Sequence, residues 1–263
     1  MIANYHTHTT RCGHAIGTDR KYVESAIIAG YKILGFSDHV PVPFDGGYRS
    51  PIRMGTDEIA GYFDSLTQLK AEYKKDIHIL IGFEMEYYPD YFEKTLSLLS
   101  DYPADYLILG QHYLDNEIGS HRTTHPTDRG DYLEKYVDQC IQGLDTGVFT
   151  YFAHPDTLNF TGDKAFYEAQ MRRLCEHALK AKVPLELNLT GLRTPYIYPH
   201  EPFFRIATEV GNPVILGFDA HEPDALTRTD VVRAATRLAK KHGLTVLDRA
   251  ELVNPFTART ERT

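Results

Sequence analysis

Ile33-Leu34-Gly35-Phe36-Ser37-Asp38-His39 is a short apolar run that reads as a strand and breaks off in a carboxylate and an imidazole. The same unit recurs along the chain. Strand-like runs at 2–6, 33–37, 77–83, 106–109, 149–153, 184–188 and 214–218 alternate with segments of helical period at 19–29, 56–74, 91–99, 132–145, 164–182 and 203–210. A last helix, near 224–242, follows the seventh run. Seven β-then-α units predict a parallel sheet, because parallel neighbours need a helical crossover between them. Closed on itself, such a sheet is a seven-unit relative of the eightfold α/β barrel. Left open, it is a doubly wound sheet. Local signals support the helices: Thr18-Asp19 can cap the first, and Gly243 stops the last.

The chain of 263 residues carries a formal charge of −8. That length suits one barrel domain, and no Pro/Ser/Gly-rich linker divides it. The acidic balance argues against a nucleic-acid partner held on the general surface, which needs a basic face, though a local basic pocket for a small anion is allowed. Cys12, Cys140 and Cys175 are odd in number and far apart, which suits a reducing compartment rather than a disulfide framework. No apolar run reaches the roughly 18 residues of a membrane span, and the first ten residues, with His6 and His8 among them, do not read as a signal peptide. A cytoplasmic protein is expected. Oligomeric state is not legible.

The ionisable residues fall at strand ends. His6 and His8 close the first run, His39 the second, Glu84 the third (Gly82-Phe83-Glu84), His112 the fourth (Gly110-Gln111-His112), His154 the fifth (Ala153-His154-Pro155), and Asp219 and His221 the seventh. In a parallel α/β fold these ends share one face, where active sites are built. His14, in the loop after the first run, belongs to the same face. Residues i and i+2 of a strand point one way, so His6 with His8, and Asp219 with His221, can each present two ligands together. Imidazole and carboxylate suit zinc, iron(II) or manganese. The set exceeds what one ion can use and predicts two or three. Taken singly, each residue has a structural reading: a turn histidine at His154, or an ion pair at Glu84. Taken together, that many buried ionisable groups without a metal would cost several kcal/mol. His78, His121, His125, His177, His200 and His242 lie elsewhere and read as structural or surface residues.

In this order the motifs H-x-H, S-D-H, G-x-E, G-x-H, A-H-P and D-x-H resemble the PHP (polymerase and histidinol phosphatase) superfamily, and within it the histidinol-phosphatase-like branch. The resemblance runs from His6 to His221. It implies a distorted seven-stranded (β/α)7 TIM-like barrel forming a single catalytic domain over 1–263, with up to three metals. One ion would take His6, His8, Glu84 and Asp219. A second would take Glu84 as bridge with His112 and His154, and a third His14, His39 and His221. All nine positions hold the expected residue type, which favours three ions. The fourth motif departs from the superfamily's G-S-x-H by one residue. Glu86 shares the strand face of Glu84 and becomes a candidate to support a ligand or touch substrate.

Such a site suits hydrolysis of a phosphate monoester, a small molecule. A hydroxide bridging two ions is a nucleophile at neutral pH, because metal binding drops the pKa of water from about 15.7 towards about 7. The ions also neutralise charge on the phosphoryl oxygens. Asp219 or His221 could pass a proton to the leaving alkoxide. Arg193, in Asn188-Leu189-Thr190-Gly191-Leu192-Arg193, resembles the N-x-x-G-x-R stretch of histidinol phosphatases and offers phosphate a planar fork. Arg122 and Arg11 are further anion-binding candidates, and Glu117 could meet a substrate ammonium. L-histidinol-phosphate phosphatase, serving histidine biosynthesis, is the expected activity. The alternatives are another phosphoesterase of the superfamily acting on nucleotides or bisphosphates, an amidohydrolase-like deacetylase, which lacks its usual carboxylated lysine here, and a non-catalytic metal-binding module.

Overall fold

The computed structural model describes residues 1–194 and 196–257. Its strands are β1 (Ala3–Asn4), β2 (Ile33–His39), β3 (His78–Met85), β4 (Tyr106–Leu109), β5 (Leu185–Asn188), β6 (Pro213–Gly217) and β7 (Thr245–Leu247). The helices are α1 (Asp19–Ile28), α2 (Ile59–Glu72), α3 (Phe92–Leu99), α4 (Gly130–Asp145), α5 (Lys164–Lys180), the single turn α6 (Thr190–Arg193), α7 (Glu201–Val210) and α8 (Thr229–His242). The strands form two sheets, β1-β2-β3-β4 and β5-β6-β7, with every pairing parallel. This is the α/β class that helical crossovers require. Among the described residues, no helix is long and apolar enough to cross a membrane.

Single residues join the sheets. Phe152 bridges Leu109 at the end of β4 and Leu185 at the start of β5. Around it Thr150 N–H donates to Leu107 O (2.8 Å), Ala153 N–H to Leu109 O (2.7 Å) and Glu186 N–H to Phe152 O (2.8 Å). At the other edges Thr7 bridges Ala220, with His8 N–H on Ala220 O (2.9 Å) and Ala220 N–H on His6 O (3.1 Å).

Two expected strands shrink. The run at 149–153 is reduced to the bridging Phe152, since His154 turns the chain at φ +30° directly after it. The run at 2–6 keeps two strand residues, and the side chain of Asn4 takes the place of a ladder partner for Phe218 N–H (2.9 Å). One strand was not foreseen: β7 is an exposed edge of three residues, too short to stand out. The helices begin and stop as their caps predicted. Thr18 accepts Lys21 N–H at the start of α1, and Gly243 takes φ +72° after α8.

β3 shows how core turns into site. One face of it (Ile79, Ile81, Phe83) packs into the main apolar core, beside Tyr62 and Phe63 of α2. On the other face Leu80 joins a small cluster with Ala3, Tyr5, Tyr106, Ile108, Tyr151, Ala153 and Ile215. The next residues on that face are Gly82 and then Glu84. Tyr106 fills the space over Gly82, with its hydroxyl donating to Tyr5 O (2.5 Å) and Phe36 O (3.1 Å). The apolar plug ends there, and everything beyond it is charged.

Candidate metal centre

All nine expected ligands converge beyond that plug. Glu84 is their hub. Its Oε2 lies 3.5 Å from His6 Nε2, 3.5 Å from His8 Nε2 and 3.0 Å from His39 Nδ1. Its Oε1 lies 2.8 Å from His154 Nε2 and 3.5 Å from His112 Nε2. Asp219 Oδ1 adds contacts to His8 Nε2 (3.0 Å), His6 Nε2 (3.5 Å) and His221 Nδ1 (3.3 Å). His14 Nε2 and His221 Nε2 meet at 2.9 Å.

These residues fit divalent ions on a specific ground. His6 Nε2, His8 Nε2, His39 Nδ1 and Glu84 Oε2 are buried and have no hydrogen-bond partner, although they crowd together. Buried polar atoms are ordinarily paired. Atoms that converge without hydrogen-bond geometry share a centre, and ligand atoms do this around an ion. The side chains fall into groups whose donor atoms lie within 4.8 Å of one another: His6/His8/Asp219, His6/Glu84/His154, His8/His39/Glu84 and His14/His39/His221. The last is the set expected for a third ion.

Five ring nitrogens facing away from the centre are held, which fixes ring orientation and tautomer, while His154 Nδ1 is buried without a partner. His6 Nδ1 meets Glu186 Oε1 (2.9 Å), His8 Nδ1 meets Asp38 Oδ1 (3.4 Å) and His112 Nδ1 meets Glu86 Oε1 (3.0 Å). His14 Nδ1 and His221 Nδ1 meet backbone carbonyls of Cys12 (2.9 Å) and Asp219 (3.0 Å). Glu186 also accepts His154 N–H (3.0 Å) and Asn188 Nδ2–H (2.8 Å). Gly110 and Gly217 are needed for close approach: a Cβ at either would overlap the carboxylate of Glu84 or Glu186. His154 (φ +30°) and Asp219 (φ +49°) sit in the left-handed region, so strain is held at two ligand positions. Glu186→Gln should therefore weaken metal binding about 10- to 100-fold with the secondary structure unchanged. A metal-titration series with circular dichroism checks both halves.

The electrostatics follow from burial with unequal neighbours. Burial alone would push the His6 imidazolium down, but Glu186, Asp219 and Glu84 outweigh it and lift it to about 10. Burial and the charge of His8 push His39, and likewise His221, down to about 3. Glu84 and Asp219 are held well below the usual carboxylate range. Burial opposes this, but His112 and His6 outweigh it for Glu84, and His6 and His221 for Asp219. An ion that binds at His6 must displace its proton at every pH below about 10. Metal affinity should rise by at least about tenfold per pH unit from pH 6 to 9. Calorimetry in buffers of different ionisation enthalpy checks the proton release, and a flat affinity over that range would contradict it.

A cavity of about 540 Å³ opens onto the cluster. His14, His39, His112, Asp219 and His221 line it, with Arg122, Arg193, Tyr196 and Tyr198 among its walls. Arg193 is anchored by an ion pair with Glu222, the residue after His221. Arg122 Nε is buried without a partner. Tyr198 stacks on His154 (centroids 5.5 Å, 25°), and Tyr196 meets Tyr198 edge-on (4.9 Å, 85°).

Two expected substrate contacts are committed elsewhere, and Glu86 takes the ligand-supporting place of its two readings. Arg11 pairs with Asp19 (3.0 Å) and lines a separate depression with Thr10, Arg20 and Ser65, because α1 presents Asp19 to it. Glu117 is buried against Arg53 (2.7 Å). Glu86 is buried on the same guanidinium and on His112. Of the histidines set apart, His177 pairs with Asp145 and His242 with Glu201.

Other participants were missed. The run at 184–188 was read as bringing no ligand, yet Glu186 and Asn188 stand on its inward face, and their i, i+2 spacing was the available signal. Cys12 Sγ lies within 4.8 Å of His8 and His221 ring nitrogens. Burial pushes its thiol up, and His14 and His8 outweigh that to bring it below its ordinary value. Gln111 is the middle residue of the short fourth motif. Its side chain clamps Tyr87 N–H (3.1 Å) and Tyr113 O (2.7 Å) beside His112.

Known proteins resemble this chain. A "Probable histidinol-phosphatase" of Deinococcus radiodurans is 28% identical over 236 residues, covering 84% of this chain and 87% of that protein. The "Histidinol-phosphatase" of Bacillus subtilis is 23% identical over 248 residues, covering 82% and 92%. Among solved structures, histidinol phosphate phosphatase from Lactococcus lactis, complexed with zinc, L-histidinol and phosphate, superposes with a TM-score of 0.73 at 22% identity, over 93% of this chain and 95% of that one. That likeness is one of fold. Residues 4–190 match the PHP domain, and the chain belongs to the PHP domain family.

Proposed function

We propose that this chain is a metal-dependent phosphomonoesterase that hydrolyses L-histidinol phosphate to histidinol and phosphate. The observation that carries it is the convergence of nine ligand-type side chains, five of which line a cavity walled by two arginines. We read the strands as a distorted seven-membered (β/α)7 barrel in one catalytic domain. The bridges at Phe152 and at Thr7–Ala220, which would close a ring through β1 to β6, support that reading. Three ions are favoured over two, because His14, His39 and His221 make a donor set of their own.

Bound divalent ions would supply a nucleophile from water near neutral pH and offset charge on the phosphoryl group. The chain's own residues do the rest. Arg193 presents a guanidinium, preset by Glu222, to the phosphate, and Arg122 offers another. Proton delivery to the leaving alkoxide is assigned to the Asp219–His221 edge, which lines the cavity. The tyrosine pair, beginning at Tyr198 on His154, gives the cavity an aromatic wall for a flat heterocycle. The relatives named for histidinol phosphatase activity support this substrate. Three free cysteines, all buried, suit a cytoplasmic setting.

Metal-reconstituted protein should be assayed for phosphate release from histidinol phosphate, p-nitrophenyl phosphate, nucleoside monophosphates and sugar bisphosphates. Histidinol phosphate should give the highest kcat/KM. Faster cleavage of a nucleotide or bisphosphate would overturn the substrate, and no release from any ester would overturn the activity.

A further inference from the structure

We propose that Arg53 is a positioning residue for the cluster, fixing the ring of His112 through Glu86 and the hairpin that carries Arg122 through Glu117. The inference rests on the reading of these histidines as metal ligands, and on nothing about the substrate.

Arg53 lies in the long connection between β2 and α2, yet its side chain is only 1% exposed. Its fork is spent on two carboxylates. Nη2–H donates to Glu86 Oε1 (2.8 Å) and Nη1–H to Glu86 Oε2 (2.9 Å). Nε–H and Nη2–H both donate to Glu117 Oε2 (2.9 and 2.7 Å), and Nη1–H also reaches Val40 O (3.0 Å). Both carboxylates are buried as well. Taking three charges out of water is expensive, and replacing such a triad by apolar residues is often neutral or stabilising. Its retention calls for a role besides stability.

The geometry supplies one. Glu86 Oε1 is shared between Arg53 and His112 Nδ1. A carboxylate can only accept there, so Nδ1 carries the proton and Nε2, which faces Glu84 Oε1, is left as the free lone pair of a ligand. The other carboxylates that hold ligand rings are themselves oriented without a guanidinium. Asp38 accepts from Thr9 N–H (3.2 Å), the Thr9 hydroxyl and His39 N–H (2.9 Å). Glu186 accepts from Asn188 and a backbone amide. Glu86 instead relies on a side chain 33 residues away in sequence.

The second arm of the fork acts on the cavity wall. Glu117 belongs to the excursion in which Tyr113 pairs antiparallel with Arg122 and Thr123 N–H bonds His112 O (2.8 Å). Tyr48 holds the remaining oxygen of Glu117 (3.0 Å). A single guanidinium thus joins three segments that meet at His112.

Arg53→Lys keeps the charge and removes the fork. It should lower the affinity of one ion about 10- to 100-fold while the ions not held by His112 bind as in the wild type. kcat should fall at limiting metal and recover with excess metal. Histidine-ring NMR of the zinc-loaded protein should show His112 losing its single Nδ1–H tautomer. Glu86→Gln should give the same loss, and the double variant no more than either alone. Arg53→Met should be at least as severe, and if it does not fold, Arg53→Lys decides. The proposal is overturned if Arg53→Lys keeps wild-type affinity for every ion and changes only Tm, or if its loss multiplies with that of Glu86→Gln. A wild-type protein that binds its ions but leaves histidinol phosphate intact would overturn the proposed function and leave this inference standing.

Discussion

Glu84→Gln should lower kcat by about three orders of magnitude or more, equivalent to about 4 kcal/mol of transition-state stabilisation, while the protein stays folded. Glu84 touches five imidazoles with two oxygens, and no other described carboxylate contacts ring nitrogens on both the His112/His154 side and the His6/His8 side. Glutamine is nearly isosteric, so the contact with Gly110 survives. Its amide, however, turns a donor toward ring nitrogens whose lone pairs must face an ion, and it removes the charge that lets two cations approach each other. Steady-state kinetics together with elemental analysis check this prediction. Turnover and metal content like those of the wild type would remove Glu84 from the centre.

Arg193→Met should reduce kcat/KM about 10²- to 10³-fold, the range seen when one preset donor to a developing anion is lost. Methionine keeps much of the apolar stem, so the wall stays filled. Metal content should not change, since Arg193 contacts Glu222 and no ligand in the cluster. This distinguishes it from Glu84→Gln, in which activity and metal fall together. A fall in bound metal equal to the fall in rate would place Arg193 with the centre rather than the phosphate. Arg122→Met should act in the same direction with a smaller effect, because no ion pair among the described residues presets that guanidinium.

The alternation of runs and helices was legible because it is local. A strand buried on both faces is apolar whatever surrounds it, and His, Glu or Asp at its end breaks the run visibly. Eight of the nine expected ligand positions were read in this way, with His14 added from the loop after the first run, and the fold brings the nine together. Pairing was less legible. The run at 149–153 looks like its neighbours but bonds as a strand only at Phe152, because His154 turns the chain at once. β7 sits exposed at an edge, and three residues are too few to read as a strand.

What failed most was partnership. Arg11 and Glu117 were read as free to meet substrate, and Glu86 as a ligand support or a substrate contact, because nothing local claims them. Their partners are Asp19 from α1 and, for both glutamates, Arg53, which comes from 64 and 33 residues away. Glu186 was passed over since its strand ends in Asn188 rather than in a ligand. A sequence marks where ionisable groups leave a strand; only the fold decides which of them face one another.

The most direct measurement is anomalous diffraction from crystals of the metal-loaded protein soaked in phosphate. The predicted result is ions enclosed by His6, His8, His14, His39, Glu84, His112, His154, Asp219 and His221, three of them at full loading, with phosphate on their open side against Arg193. Anomalous peaks elsewhere, or a cluster whose ions are fully wrapped by side chains with phosphate excluded, would contradict it.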